Sequence, residues 1–149
     1  MKKRSGFTLV EILIIVIILG ILVAIVIPQF SQASEEAKFS NLVNDLQTVR
    51  SQIQLYKLQH KTQLPGTQGL TFQLAMTKYT NSDGVPATTQ SPADKMYGPY
   101  IMRIPTNPFN DSNEVHTGAG PNTSYDSGWY FNTTTGGFNA NDNAAHAAL

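Results

Sequence analysis

One acidic residue, Glu11, lies near the start of a long apolar run and is the side chain of this sequence best placed to do chemistry. The stretch from Phe7 to Ile27 holds about 21 residues, which as an α-helix would extend roughly 31 Å and cross the hydrocarbon core of a bilayer. Glu11 is its only ionisable side chain. A charged side chain inside a membrane costs about 2.5–3.5 kcal/mol on insertion scales. We therefore expect Glu11 to have a function.

Two simpler interpretations of this stretch leave features unexplained. A secretory signal peptide has a shorter apolar region that ends at a cleavage site of small residues, whereas this run is longer and ends in Ile25-Val26-Ile27-Pro28. A plain membrane anchor fits the length and the basic residues in front of it. It explains neither Glu11 nor the abrupt junction between Gly6 and Phe7.

That junction resembles the leader and cleavage motif of type IV pilins and type II secretion pseudopilins. The resemblance is carried by Lys3-Arg4-Ser5-Gly6-Phe7-Thr8-Leu9-Val10-Glu11. In that family a membrane-embedded prepilin peptidase cuts after the glycine, here Gly6, and the new N-terminal residue, here Phe7, is N-methylated. The fifth residue of the mature chain, here Glu11, is the characteristic acid.

The resemblance also suggests a partner for Glu11. Cutting after Gly6 would leave an α-ammonium group on Phe7, at the edge of the hydrocarbon. Opposite charges in an apolar bundle attract far more strongly than in water, and an unpaired one is costly. We predict that Glu11 pairs with the Phe7 ammonium of a neighbouring copy and so sets the axial register of a polymer.

The charge distribution and the cysteine content limit the possible locations and partners of the protein. Net charge is zero, but the cationic residues are concentrated in the N-terminal part, and the distal part is mildly acidic, so no nucleic acid partner is expected. The basic leader predicts a cytoplasmic N-terminus, with everything after Pro28 across the membrane. There is no cysteine, hence no disulfide. Many type IV pilins carry a disulfide and major pseudopilins generally lack one, which favours the pseudopilin.

The elements that must position the N-terminal motif begin with one long helix. Pro28 predicts a kink rather than an end, because helical patterning resumes at once. A single apolar stripe follows, at the 3-4 spacing of a helix face: Phe39, Leu42, Leu46, Val49, Ile53 and Tyr56. The helix is expected to end before Leu64-Pro65-Gly66. A short helix is predicted within Thr71–Tyr79.

The part of the sequence after the short helix predicts a small head that contains β-strands. Residues 97–105 read as a short strand or an extended packed segment, and a loop is expected from Thr106 to about Ser127. Gly128-Trp129-Tyr130-Phe131-Asn132 and Phe138-Asn139-Ala140 flank a glycine-containing connection and predict a β-hairpin, with Tyr130 on the wetter face. Residues 141–149 are expected to fray. Residues 64–70, 97–109 and 128–136 resemble blocks of the major pseudopilins.

These observations predict a pilin-like α+β fold, in which a long kinked N-terminal helix packs on a small antiparallel β-sheet head. Residues 1–6 would be the cleaved leader, and residues 7–28 the transmembrane and assembly helix. Residues 29–62 would be its amphipathic continuation, and residues 63–149 a periplasmic head.

Metal and enzyme chemistry have little support in the sequence. Some major pseudopilins bind calcium in a loop near the C-terminus, and four carboxylates here carry the hard oxygen ligands that calcium needs: Asp111, Glu114, Asp126 and Asp142. Their spacing fits no compact calcium loop, and Asp111 and Asp126 are the candidates as ligands if calcium binds. The three histidines lack metal-ligand spacing. No phosphate loop or nucleophile motif occurs, so no enzyme and no cofactor are expected.

We therefore predict the major subunit of a periplasmic type II secretion pseudopilus, a homopolymer anchored in the bacterial inner membrane. In the family, the fibre grows from the inner membrane through a platform protein and an assembly ATPase, together with minor pseudopilins, and drives substrates through an outer-membrane channel. The alternative is a type IV pilin of a surface fibre for adhesion, motility or DNA uptake. A minor, tip-located subunit also stays open.

Overall fold

The computed structural model describes residues 6–67, 69–87, 96–120, 122 and 124–149. The chain forms two compact units, of which one ends at Ala37 and the other runs from Lys38 to Leu149. In chain order the elements are α1 (Leu9–Gln59), α2 (Phe72–Thr77), β1 (Tyr79–Thr80), β2 (Pro86–Ala87), β3 (Val115–Gly118), β4 (Trp129–Asn132), β5 (Phe138–Ala140) and α3 (Ala144–Ala147). The long helix and the small sheet confirm the predicted pilin-like α+β fold.

Helix α1 continues through Pro28, as the resumed helical pattern predicted. It ends at Gln59, and Lys61 and Thr62 follow with φ values of 53° and 66°. These left-handed conformations stop the helical hydrogen bonding just before Leu64-Pro65-Gly66, where the sequence predicted the end.

The second half of α1 buries one stripe in the core of the head. Five of the six predicted residues are at most 1% exposed: Leu42, Leu46, Val49, Ile53 and Tyr56. The sixth, Phe39, is 43% exposed, although its ring lies 6.0 Å from the ring of His146. The 3-4 spacing therefore located the buried face of the helix, and only the end of the stripe differs.

The main sheet has the strand order β3-β4-β5. Strands β4 and β5 pair antiparallel, with Trp129 opposite Ala140 and Phe131 opposite Phe138, which confirms the predicted hairpin. Strand β3 pairs parallel to β4, with Val115 opposite Trp129. The sheet is therefore mixed rather than purely antiparallel, and the region predicted as a loop from Thr106 contains a strand, whose β-branched residues favour that conformation.

Aromatic side chains fill the space between the sheet and the helices. Phe72 of α2 lies 4.5 Å from Phe131 and 5.5 Å from Phe138, measured between ring centroids. Trp129 is fully buried, and its indole N–H donates to the carbonyl of Pro105 at 2.8 Å. Burying a side chain of this size contributes strongly to stability, and the hydrogen bond prevents the N–H from being left unsatisfied.

Tyr130 is buried, and the prediction that it occupies a wet face of the hairpin was wrong. Its side chain is 7% exposed, and its ring stacks near His116 of β3 at 5.9 Å. The phenol donates to the carbonyl of Gly120. Strand β3, which lies beside β4 in the same sheet, and the residues that follow it supply these neighbours of Tyr130, and the sequence did not reveal them.

Residues 97–105, predicted as a short strand or an extended packed segment, form a packed but irregular segment, with bends at Tyr100, Met102 and Arg103 and a φ of 84° at Gly98. Tyr97 and Thr80 exchange backbone hydrogen bonds of 2.8 and 3.0 Å in an isolated bridge beside the β1–β2 pair. Tyr100 and Ile104 point into the core. This segment joins the second half of α1 to the small sheet.

The C-terminal residues form α3 instead of the predicted frayed end. Asn143 caps the helix, since its side-chain oxygen accepts from the backbone N–H of His146 at 2.9 Å. Arg50 of α1 donates from Nε to the carbonyl of Phe138 at 2.8 Å and from a terminal nitrogen to the carbonyl of Leu149 at 3.1 Å. One guanidinium thus fixes both the hairpin and the last residues to α1.

We predict that Arg50→Ala lowers the free energy of unfolding by about 1–3 kcal/mol, because two carbonyls lose a charged donor. Arg50→Lys should recover only part of this, since a single ammonium cannot reproduce the forked geometry. Lys38→Ala removes an exposed cation from the same helix and is the control. Equal melting of the Arg50→Ala and Lys38→Ala proteins, followed by circular dichroism in detergent, would contradict this role.

His60 is fully buried at the end of α1. Its ring stacks on Tyr56 with centroids 3.8 Å apart, and Tyr97 and Tyr100 approach edge-on at 5.6 and 6.0 Å. Nδ1 lies 3.0 Å from the carbonyl of Tyr56, and Nε2 lies 2.9 Å from the hydroxyl of Thr80. Burial among these uncharged groups lowers the pKa of His60.

This burial predicts acid sensitivity. In the unfolded chain His60 takes up a proton near its ordinary pKa of about 6.5, whereas the folded protein resists protonation, so stability falls as pH drops below about 6.5. His60→Gln should remove this dependence between about pH 6.5 and the lower pKa of the folded state. The check is the difference between wild-type and variant Tm across pH 5 to 8. A difference that stays constant would show that His60 does not carry the effect.

Candidate functional site

The first turn of α1 is closed by reciprocal hydrogen bonds between Thr8 and Glu11. The backbone N–H of Thr8 donates to Oε2 of Glu11 at 2.8 Å, and the Thr8 hydroxyl donates to the same oxygen at 2.7 Å. In return, the backbone N–H of Glu11 donates to the Thr8 hydroxyl at 3.3 Å. Thr8 immediately precedes the first helical residue, and Glu11 is the third residue of the helix.

This arrangement is a capping box, in which a threonine and a glutamate three residues later satisfy each other's backbone N–H groups. The sequence signal, Thr-x-x-Glu ahead of an apolar run, was present but was not used. Sequence reasoning assigned Glu11 an intermolecular role and gave Thr8 none. In the structure Thr8 orients the Glu11 carboxylate.

The cap uses only one of the two carboxylate oxygens. Both donors of Thr8 bind Oε2, and within the described part of the chain Oε1 accepts no hydrogen bond. Glu11 is therefore held in one orientation while Oε1 is free to accept a donor from elsewhere. The glutamate also places negative charge in the first turn, where the helix dipole favours it.

Gly6 and Phe7 lie ahead of the helix and are exposed. A Cβ atom added at Gly6 would meet no described atom within 4 Å. The fold of the described residues therefore does not require glycine at this position. Phe7 is 76% exposed, so its side chain, too, makes little contact within the chain.

The residues after Glu11 form a helix that is long and apolar enough to cross a membrane. None of this apolar stretch is buried within the chain, and the exposure of its large side chains ranges from 45% at Ile15 to 63% at Ile27. Such a surface needs lipid or other apolar helices around it.

The two residues predicted as metal ligands lie on adjoining loops, since the side chain of Asn110 donates to the carbonyl of Ser127 at 2.9 Å. Asp111 has a φ of 53° in the loop before β3, and Asp126 lies in the loop before β4; both are exposed. Among the described residues, no group of three His, Asp or Glu side chains is placed to hold a metal ion. The buried carboxylate in this region is Asp142, which is bonded to His146.

The family described as the prokaryotic N-terminal methylation motif matches residues 1–27. Type II secretion system core protein G of Vibrio cholerae is 33% identical over 109 residues, which cover 73% of this chain and 68% of that protein. The corresponding proteins of Dickeya chrysanthemi and Pseudomonas aeruginosa are 32% and 31% identical, with 72% of this chain and 65% and 70% of theirs covered. No solved structure matches with significant similarity.

This chain belongs to the family of type II secretion system core protein G. The identification confirms the prediction that it is a structural subunit of a type II secretion pseudopilus, with an N-terminal methylation motif and a helix able to span a membrane. Within this pseudopilin, the capping box lies inside the matched motif, and Thr8 and Glu11 both belong to it. The methylation motif therefore coincides with a defined local structure, the capped first turn of α1.

Proposed function

We propose that this pseudopilin is cleaved after Gly6, methylated on Phe7, and polymerised from the inner membrane into a periplasmic fibre that drives protein export. The observation that carries the proposal is the capped Glu11, which follows the Gly6–Phe7 junction in the sequence and whose Oε1 accepts no hydrogen bond from the residues that the structure describes. The role is structural rather than catalytic. Its partners would be the prepilin peptidase, copies of itself, minor pseudopilins, and the platform protein with its ATPase.

The glycine at position 6 supports recognition by a processing enzyme. Because the described fold leaves open space around Gly6, the need for a residue without a side chain comes from another molecule. The bond after it lies outside the helix, in a segment that a peptidase can take in extended form. The basic leader would hold this end on the cytoplasmic side and place the head in the periplasm.

After cleavage, two opposite charges would lie within five residues of each other at the membrane boundary. The Phe7 ammonium of one copy can bind Oε1 of Glu11 in the next, while Thr8 keeps Oε2. Because Thr8 already holds the Glu11 carboxylate in one orientation, this side chain would lose less conformational entropy when it pairs. Burial of the apolar helices against one another supplies most of the assembly free energy, and this contact sets the register.

Two variants separate the charge of Glu11 from its cap. Glu11→Gln keeps an oxygen that can accept from the Thr8 N–H, since glutamine also serves in a capping box, but it removes the charge. Thr8→Val keeps the shape of Thr8 and removes its hydroxyl. If charge pairing drives assembly, we expect Glu11→Gln to reduce fibre formation by about tenfold or more, and Thr8→Val to reduce it only modestly.

Fibre formation would be measured by cross-linking and sedimentation, with membrane insertion of every variant as the control. Fibres from Glu11→Gln at the wild-type level would refute the pairing. A loss with Thr8→Val as severe as with Glu11→Gln would instead make the cap the essential feature.

Processing is tested by mass spectrometry of the protein isolated from its native membrane. We expect the N-terminal residue to be Phe7, with a mass higher by one methyl group. Gly6→Ala should accumulate the unprocessed chain without changing its Tm, because the added methyl group meets open space. A native protein that still begins at Met1 would refute the proposed processing.

A further inference from the structure

Three segments near the C-terminal end of the head meet at a buried polar cluster, here called the Asn107 network. Its members are Asn107, Ser127, Asn141, Asp142 and His146. Asn107 and Asn141 are fully buried, and Ser127 is 5% exposed. The Asp142 and His146 side chains are 5% and 16% exposed. Polar groups this deeply buried destabilise a fold unless they are bonded to one another.

Asn107 bonds to all three segments at once. Its side-chain nitrogen donates to the carbonyl of Gly128 at 2.9 Å and to Oδ1 of Asp142 at 3.0 Å. Its side-chain oxygen accepts from the backbone N–H of Phe109 at 2.9 Å. Both hydrogens of the amide are therefore used, and the geometry depends on a group that donates and accepts together.

Both oxygens of Asp142 receive N–H donors. Oδ1 accepts from Asn107, while Oδ2 accepts from the side chain of Asn143 at 2.7 Å and from Nδ1 of His146 at 2.5 Å. The imidazole is in turn packed on Phe109, with ring centroids 4.3 Å apart. Each oxygen of this carboxylate thus already accepts at least one N–H group of the chain, which makes Asp142 a poor candidate as a metal ligand.

Ser127 and Asn141 tie the same segments together a second time. The Asn141 side chain donates to the Ser127 hydroxyl at 2.5 Å, and that hydroxyl donates to the carbonyl of Trp129 at 3.0 Å. Asn110 donates to the carbonyl of Ser127 at 2.9 Å. The neighbouring Gly128 runs directly against the earlier loop, since a Cβ atom there would lie 2.0 Å from the carbonyl oxygen of Ser112.

We propose that the Asn107 network fixes the C-terminal loops of this pseudopilin without calcium, so that the stability of the head does not depend on that ion. Calcium would tie these loops together by collecting six to eight oxygens from them. Here amide and imidazole N–H groups make those connections. Asp111 and Asp126, on two of the same loops, are exposed and have no third acidic or histidine ligand placed with them among the described residues.

The test is thermal melting of the full-length protein in detergent, first with a chelator and then with millimolar calcium chloride. The wild-type Tm should be the same in both buffers. Asn107→Ala should lower the Tm by roughly 5–10 °C in both, because the carbonyl of Gly128 and Oδ1 of Asp142 lose their donor. Asp126→Asn, which removes an exposed carboxylate, is the matched control and should melt as wild type in both buffers.

Two results would overturn the proposal. A wild-type Tm that rises by several degrees with calcium, and no longer does so in Asp126→Asn or Asp111→Asn, would show that the ion holds the loops. Wild-type melting of both Asn107→Ala and His146→Ala would show that the network contributes nothing. If Asn107→Ala fails to fold, the proposal is still tested by the melting of His146→Ala and by the wild-type Tm with and without calcium, because neither measurement requires that variant.

Discussion

The apolar first half of helix α1 is able to cross a membrane, where its polar groups would have to be satisfied without water. Inside a bilayer each backbone N–H must be bonded within the segment, and the first turn of a helix cannot do this with its own carbonyls. Thr8 and Glu11 satisfy two of these N–H groups at the N-terminal end by bonding each other's. The carboxylate that is costly in an apolar setting is therefore also a capping group of the helix.

The head has a different requirement, because it must bury an apolar core although many of its loops are polar. One face of α1 supplies an aliphatic stripe ending in Tyr56, and Trp129, Phe131 and Phe138 close over it from the sheet. Chain segments too polar to join this core are held by side-chain amides instead. Arg50 and the Asn107 network bind carbonyls of the hairpin and of the last residues, so the loops are fixed by specific hydrogen bonds rather than by apolar burial.

Sequence reasoning succeeded where a single local pattern determines the structure. The 3-4 spacing from Leu42 to Tyr56 gave the buried face of α1, and aromatic residues around a glycine-containing turn gave the β4–β5 hairpin. It failed where partners are distant in sequence. Strand β3 is defined by its parallel pairing with β4, and this pairing places His116 next to Tyr130. No local pattern in residues 141–149 could show that Asp142 bonds to Asn107, which lies 35 residues earlier in the chain.

At the candidate site, too, the sequence predicted one feature of Glu11 and missed another. The position of Glu11 in the motif was evident from the sequence, but its hydrogen bonds to Thr8 required only the Thr-x-x-Glu spacing and were overlooked because the charge suggested a distant partner. The cap uses Oε2 and the proposed pairing would use Oε1, so the two roles would not compete. A subunit that enters a polymer would benefit from this arrangement, because the pairing group would already be oriented before its partner arrives. Pairing would then cost less conformational entropy than it would for a free glutamate side chain.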